Sequence, residues 1–387
     1  MKCEPTIMKL KDLCIGGKGK YGIPASAVPY SENLYTYLRI TDITDDGRIN
    51  KSGLVSVDDE KAGEYVLQPN DIVFARTGGS TGRNYFYDGT DGELVYAGFL
   101  IKFSIDPNCV NPKYVKYYCQ SKPYRDWVNS FNTGSTRGNI NAQTYANMDL
   151  PVPCRKQQDL LVDTLSALDE KIELNNKINE NLQQQAQAIY QEWFGNINME
   201  KEQGTLADIC TYSKDRVSVS ELDISTYFST ENMLPGKAGA VEASNLPTTA
   251  QTTACHVGDT LISNIRPYFK KIVYCHEECG CSTDVLCFVP VHSKYSAYLY
   301  STLYADTFFD FMVAGSKGTK MPRGDKQQIM TYPVALPTDT ELERFNSVAV
   351  PVLTQIQNNR NENKRFSVLR DTLLPKIMNG EIDVDGI

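Results

Sequence analysis

The sequence predicts an α+β protein: two mixed α/β domains separated by two long antiparallel coiled-coil helices, written as a pseudo-two-fold internal repeat. Three observations carry this. First, Leu161, Leu165, Leu168, Ile172, Asn175, Asn179, Leu182, Ala186, Ile189 and Trp193 are spaced alternately by four and three, the a/d seam of a coiled coil. Second, the seam returns at Phe345, Ala349, Val352, Ile356, Asn359, Asn363, Phe366, Arg370, Leu373 and Ile377, and the offset between Ile172 and Ile356, 184 residues, carries every position across. Third, the stretches before the two seams loosely repeat one plan.

No Gly or Pro interrupts 161–193, and Asn, Gln, Glu and Lys fill its outer faces, so a long amphipathic helix is expected there. Both seams turn from apolar to Asn at the same two places, Asn175/Asn179 and Asn359/Asn363. Asn at a seam position lowers stability and fixes register. Antiparallel pairing would bring the four Asn together. A parallel pair would also align them, but consecutive helices separated by a domain return antiparallel as easily. The plainer reading, two unrelated exposed helices, leaves the shared offset unexplained. The expected boundaries are a domain over 1–152, a central helix over 153–198, a second domain over 199–337 and a distal helix over 338–387.

Within the first domain, 35–43 and 94–103 are rich in β-branched and aromatic residues, as strands require. Residues 71–75 read as a short buried strand ending in the Gly-rich turn Arg76-Thr77-Gly78-Gly79-Ser80-Thr81-Gly82-Arg83. Pro112 opens a helix over 113–131 that Pro123 is expected to bend. A polar loop, Thr133-Gly134-Ser135-Thr136-Arg137-Gly138-Asn139, follows. In the second domain Asp259-Thr260-Leu261-Ile262-Ser263 answers Asp71-Ile72-Val73-Phe74-Ala75, and Arg266 falls just beyond, as Arg76 does. A strand is expected over 284–289 and a Tyr- and Phe-rich helix over 294–313. Gly315-Ser316-Lys317-Gly318-Thr319-Lys320 then answers 134–139, and Tyr332-Pro333-Val334 answers Leu150-Pro151-Val152.

At 387 residues, 41% hydrophobic, the chain is long enough for two or three cores. Met1-Lys2-Cys3-Glu4-Pro5 lacks an apolar run, so no signal peptide is expected, and no stretch has the length a membrane helix needs. Eleven scattered Cys suit a reduced cytoplasm. The formal charge of −8 argues at first against a nucleic-acid partner, yet residues 1–150 balance 17 cations against 17 anions, while 151–200 hold 4 against 8. Half of the deficit lies in the first helix, so a DNA-binding face on the domains is compatible with it.

The candidate chemistry is sparse. Asn111-Pro112-Lys113-Tyr114 approaches the Asn-Pro-Pro-Tyr signature of adenine methyltransferases, but its third position differs and no Gly-rich donor loop follows a strand; Pro112 reads better as a first-turn helix residue. Cys275, His276, Cys279, Cys281 and Cys287 cluster without paired C-x-x-C knuckles, so small core residues are favoured over zinc ligands and no metal is expected. His256 and His292 have no obvious partners, and three His give acid–base catalysis little to work with. Gly78, Gly79 and Gly82 lack the Lys-Ser/Thr pair of a phosphate loop. Arg76, Thr77, Ser80, Thr81 and Arg83 are instead donors suited to DNA phosphates and base edges. The same holds for Ser135, Thr136, Arg137 and Asn139, for Asn264, Arg266 and Tyr268, and for Ser316, Lys317, Thr319, Lys320 and Arg323. Tyr114, Tyr117, Tyr118 and Tyr124, interleaved with Lys113, Lys116, Lys122 and Arg125, would track a phosphate backbone if exposed; a core face is favoured for most.

This combination resembles the specificity subunit of type I restriction-modification systems. Leu165-Ser166-Ala167-Leu168-Asp169-Glu170-Lys171-Ile172-Glu173-Leu174-Asn175 with Ala188-Ile189-Tyr190-Gln191-Glu192-Trp193-Phe194 is similar to the family's central helix. Leu369-Arg370-Asp371-Thr372-Leu373-Leu374-Pro375-Lys376-Ile377-Met378-Asn379-Gly380-Glu381-Ile382 is similar to its distal one. Asp71 with Arg76-Thr77-Gly78, and again Ile265-Arg266-Pro267-Tyr268, resemble the motif that opens a target-recognition domain. The resemblance implies a non-catalytic cytoplasmic protein without a cofactor of its own. Each domain would read one half of a bipartite site in double-stranded DNA, and the helices would set the gap. Two modification subunits would dock on the helices and bring restriction subunits with them. An adenine methyltransferase with its own recognition domain, or an orphan DNA-binding scaffold of another defence system, are the alternatives; a bound methyl donor on the lone chain would favour the first, and neighbouring genes would decide the second.

Overall fold

A computed structural model describes residues 4–51, 53–131, 138–195 and 202–378. The chain divides into two compact units, residues 1–172 with 364–387, and 173–363. Both are sheet-rich and built on one plan.

In the first unit a strand pair, Thr6–Lys9 against Asp149–Val152, joins the chain's entry to its exit. The main sheet is antiparallel, in the order Lys20–Tyr21, Leu100–Ser104, Asp71–Ala75, Asn84–Tyr87. Its central strand is buried at every residue, as an apolar run flanked by turn residues requires. A second sheet runs Ala27–Pro29, Val55–Val57, Tyr35–Leu38, Leu94–Tyr96, with the last pair parallel. The second unit repeats the strand pair as Gln203–Thr205 with Pro333–Ala335. It repeats the main sheet as Cys210–Tyr212, Val285–Pro290, Thr260–Ser263, Ile272–Tyr274. Its smaller sheet differs. The order is Arg216–Ser218, Gln251–Cys255, Cys279–Cys281, Tyr227–Phe228, so the two members of the parallel pair exchange places.

The helix expected over 113–131 is two helices. Pro112–Tyr118 starts at an Asn111 cap, and Lys122–Asn129 starts at Ser121, whose hydroxyl accepts from the Tyr124 amide. Pro123 therefore sits in a first turn, where its missing N–H goes unused, rather than kinking a helix interior. The stretch over 294–313 likewise divides into Ser296–Tyr304 and Asp306–Ala314 at an extended Ala305. The four tyrosines are core residues, not surface ones. Tyr114 donates to the Pro151 carbonyl, Tyr118 to Asp149, and Tyr124 to Gly82 at 2.6 Å. Gly82 has φ +87°, and a Cβ there would meet Val128 at 2.4 Å, so no other residue fits this turn. The expected strand over 94–103 is broken by a turn into two strands that belong to different sheets.

The first long helix spans Arg155–Tyr190 and ends in a π-helical turn, Gln191–Gly195; the second spans Asp339–Met378. The second continues through Pro351 and Pro375, each of which removes one helical hydrogen bond, with Phe345, Ala349 and Leu353 buried along one side. Leu161 and Leu165 of the first helix and Leu374 of the second enter the core of the first unit. Tyr190, Phe194 and Phe345 enter that of the second, where Phe194 meets Tyr298 edge-on at 4.9 Å.

In the second unit the helices run antiparallel, and the seam asparagines meet. Asn175 donates to Asn363 at 2.9 Å and to Glu362 at 2.7 Å, while Asn359 donates to Asn179 at 2.8 Å. Asn363 donates in turn to Asn176 at 2.9 Å. Asn175 and Asn359 are buried, and polar side chains at seam positions that find partners in only one alignment fix that alignment. Toward the other end, in the first unit, Arg370 pairs with Asp169 at 3.2 Å, and Tyr117 donates to the same carboxylate at 3.0 Å.

Cys255, Cys275, Cys279, Cys281 and Cys287 are all buried in one apolar cluster with Met233, Leu261 and Val273. Among the described residues, no group of ligating side chains has the arrangement that holds a metal ion. His256, which sequence left without a partner, has two: Glu278 at 2.6 Å and Asp215 at 3.4 Å. Both lie far away in sequence, which is why spacing did not show them. The Glu278 carboxylate raises the imidazole above its ordinary value, against a smaller opposing effect of burial. The stabilisation this brings is complete below the unfolded value, about 6.5, and is lost as pH rises through the folded one. Thermal melts should therefore show the second unit slightly less stable at pH 8 than at pH 6, and His256→Gln should flatten that part of the profile.

Candidate nucleic-acid interface

Each unit has an arginine beyond its central strand, directly after Ala75 in the first and three residues after Ser263 in the second, held by backbone hydrogen bonds. In the first, the Arg76 amide donates to the Phe99 carbonyl at 3.1 Å, and its own carbonyl accepts from Ile140 at 2.9 Å. Tyr145 donates to the carbonyl of Ala75 just before it. In the second, the Arg266 amide donates to Pro322 at 2.8 Å, and Ile265 bridges to Arg323. Arg266 adopts φ +50°, ψ +64°, a left-handed conformation that a residue with a Cβ adopts at a cost of roughly 1 kcal/mol. In both arginines Nε is buried without a hydrogen-bond partner. The strand starts are alike too: Asp71 accepts from the Gln68 amide and Asp259 from the His256 amide, both at 2.8 Å.

Around these arginines the sequence-selected residues divide. Ser80 is buried, and Thr81 gives its hydroxyl to the carbonyls of Gly78 and Gly138, so the two hold the loop instead of presenting donors. Arg83 is drawn to Asp45 at 2.7 Å and to the Ile43 carbonyl. Thr77 is half-buried beside Arg76, and Asn139 is exposed. Ser135, Thr136 and Arg137 lie outside the described residues. In the second unit Lys317 and Arg323 exchange backbone hydrogen bonds, closing 317–323 into a hairpin that is brought to Arg266. Thr319 and Lys320 are exposed at its tip. Ser316 turns back to the Val313 carbonyl, Lys317 pairs with Asp325, and Arg323 pairs with Asp284 at 3.0 Å. Lys317 holds the Asp325 carboxyl below its ordinary range. Asn264 is buried with Oδ1 unpartnered, and Tyr268 is 49% exposed.

Sequence reasoning missed the aromatic residues. Tyr21 and Phe99 lie beside Arg76, and Phe269 stacks at a tilt on Tyr268 with Lys271 over its face. Only Phe269 had a local signal, as the neighbour of a chosen residue. What each unit offers is thus an arginine rim with exposed rings and polar loop tips, the donor set that contacts phosphates and base edges.

That arrangement, in two units of one plan, has relatives. Residues 4–184 match the family described as type I restriction modification DNA specificity domain. The chain is 28% identical over 133 residues to the type I restriction enzyme HindI specificity subunit of Haemophilus influenzae, covering 33% of this chain and 28% of that protein. It is 22% identical over 336 residues to the type I restriction enzyme MjaIX specificity subunit of Methanocaldococcus jannaschii, covering 71% of this chain and 70% of the relative. The fold matches the crystal structure of the type I restriction-modification system S subunit from M. genitalium with TM-score 0.57 and 17% identity, over 97% of this chain and 96% of that one. Residues 4–184 thus match the DNA specificity domain of type I restriction-modification systems, and the fold is that of the S subunit structure.

Proposed function

We propose that this chain is the non-catalytic DNA sequence-recognition subunit of a type I restriction-modification complex. Its two domains, over 1–152 and 199–337, each read one half of a bipartite site in double-stranded DNA. The helices, over 153–198 and 338–387, set the gap and dock two modification subunits, through which restriction subunits join. The observation that carries this reading is the repeated arginine rim: a backbone-pinned arginine with a buried Nε just beyond the corresponding strand in both units. Loops rather than a cleft surround it, as reading an extended polymer requires. The helices bring their own support. Having buried their seams, they still expose Leu174, Ile178, Val368 and Leu369, apolar surface suited to a protein partner. Methyl-donor and ATP chemistry then belong to the partners, and the whole complex to the cytoplasm. No helix among the described residues is long and apolar enough to cross a membrane.

The test is half-site independence. Replacing 317–323 with an equally long Gly/Ser loop should change methylation only at the half-site read by the second domain, as methylome sequencing would show. Losing a bidentate arginine–guanine contact there costs roughly 1–3 kcal/mol at one base position. Equal change at both half-sites would refute domain-by-domain reading.

A further inference from the structure

We infer that Tyr21 and Phe99 are specificity-determining residues, which hold the Arg76 guanidinium edge-outward for the O6 and N7 acceptors of a guanine in the first half-site. The inference rests on the DNA-reading role proposed above and assigns to it a base and two positioning side chains.

Backbone geometry brings the three together. Tyr21 pairs with Ile101 at the edge of the main sheet, and Phe99 lies in the turn leading into that neighbouring strand. At Gly22 the chain presses so close to the turn that a Cβ would lie 2.2 Å from the Tyr96 carbonyl oxygen and 2.3 Å from that of Ala97. Only glycine permits this approach, and it sets Tyr21 beside Phe99. Arg76, hydrogen-bonded through its amide to the Phe99 carbonyl, projects its guanidinium over both rings, with its central carbon 5.2 Å from the Tyr21 centroid and 5.8 Å from that of Phe99.

Charge then distinguishes this arginine from five others of the unit. In the first unit Arg39, Arg48, Arg83, Arg155 and Arg370 each pair with an aspartate. Arg76 has rings where they have a carboxylate, and no carboxylate partner among the described residues. The rings are 43% and 56% exposed, so burial does not account for them. A guanidinium laid against aromatic faces is held by its quadrupolar attraction to them and keeps its in-plane N–H groups free. Two such donors side by side match guanine in the major groove. A phosphate would accept the same donors, but its loss would weaken every sequence alike. Among the described residues Arg266 has no such ring contact, and it relies on its left-handed backbone, so the effect belongs to one half-site.

The experiment uses the full chain assembled with its modification subunits. Binding to duplexes randomised in the first half-site is measured at two salt concentrations, alongside methylome sequencing. Tyr21→Ala, Phe99→Ala and Arg76→Lys should each lower discrimination at the same single guanine by roughly 10- to 100-fold, with the salt slope nearly unchanged and the second half-site intact. Tyr21→Phe keeps the ring while removing the hydroxyl that accepts from the Ala142 amide, and should read as wild type. If Tyr21→Ala fails to fold, Phe99→Ala and Arg76→Lys still decide. Uniform weakening across all sequences, different relaxed positions among the variants, or unchanged specificity would each overturn the inference. Wild-type protein without any sequence preference would instead remove the DNA-reading role beneath it.

Discussion

Inserting one heptad into each long helix is expected to move the two methylated half-sites apart by about three base pairs while leaving both half-sequences unchanged. Seven helical residues add about 10 Å, and duplex DNA rises roughly 3.4 Å per base pair. Where the insertions go matters. The repeat offset alone points to Ile172 and Ile356, but these two do not face one another in an antiparallel pair. From the bonded pair Asn175 and Asn363, three residues back along the first helix runs three forward along the second, so Phe366 faces Ile172. Insertions between Ile172 and Glu173 and between Arg365 and Phe366 therefore extend the pair while keeping the asparagine contacts. Insertions after Ile172 and after Ile356 would pull Asn175 from Asn363 and Asn179 from Asn359. Methylome sequencing of both variants checks this. An unchanged gap in the first would show that the helices do not measure the site.

The second large effect is on stability. Asp71→Ala should destabilise the first unit by about 3–5 kcal/mol, the usual consequence of stranding a buried charge. Asp71 is 1% exposed and pairs with Lys102, whose side chain is only 13% exposed, at 2.8 Å. It also accepts from Ser104 and from the Gln68 amide. Asp259→Ala, at the matching position, should cost less, about 1–3 kcal/mol, because that carboxylate accepts from a backbone amide and a thiol and has no Lys or Arg partner among the described residues. A chain of two units does not unfold in one step, so hydrogen exchange resolved by segment is the suitable measurement. Equal losses for the two variants would show that the Lys102 pair is not what sets the difference.

The helices were legible in sequence because a period of three and four is local. Their direction needed more. Asn176 and Glu362, which complete the polar contacts, lie outside the seam, and no spacing rule selects them. Ser121 shows the same limit at short range. Pro123 predicts a bent helix or a new helix start depending on whether Ser121 caps, and only the Tyr124 amide bond decides. At the candidate interface loops the limit is distance. Arg76 and Arg83 stand seven residues apart with equal claim, yet Asp45 takes the second, while Tyr21 and Phe99 flank the first. Each partner is remote in sequence or across a turn, and nothing in composition tells a tethered arginine from a presented one. The strand exchange in the smaller sheet of the second unit was equally hidden, since short strands at similar spacing pair in either order.

The strand pair that closes each unit has a genetic consequence. Thr6–Lys9 lies against Asp149–Val152, and Gln203–Thr205 against Pro333–Ala335, so each domain leaves the chain beside the point where it enters. Adjacent strands sit about 4.8 Å apart, which makes each domain a cassette with a single seam. Recombination between related genes with breakpoints in these strands would exchange one cassette and leave the helices and the other cassette untouched. Breakpoints inside the smaller sheet would join incompatible strand orders. Circular permutants opened in an exposed loop, with the paired termini linked by a few residues, should fold for the same reason.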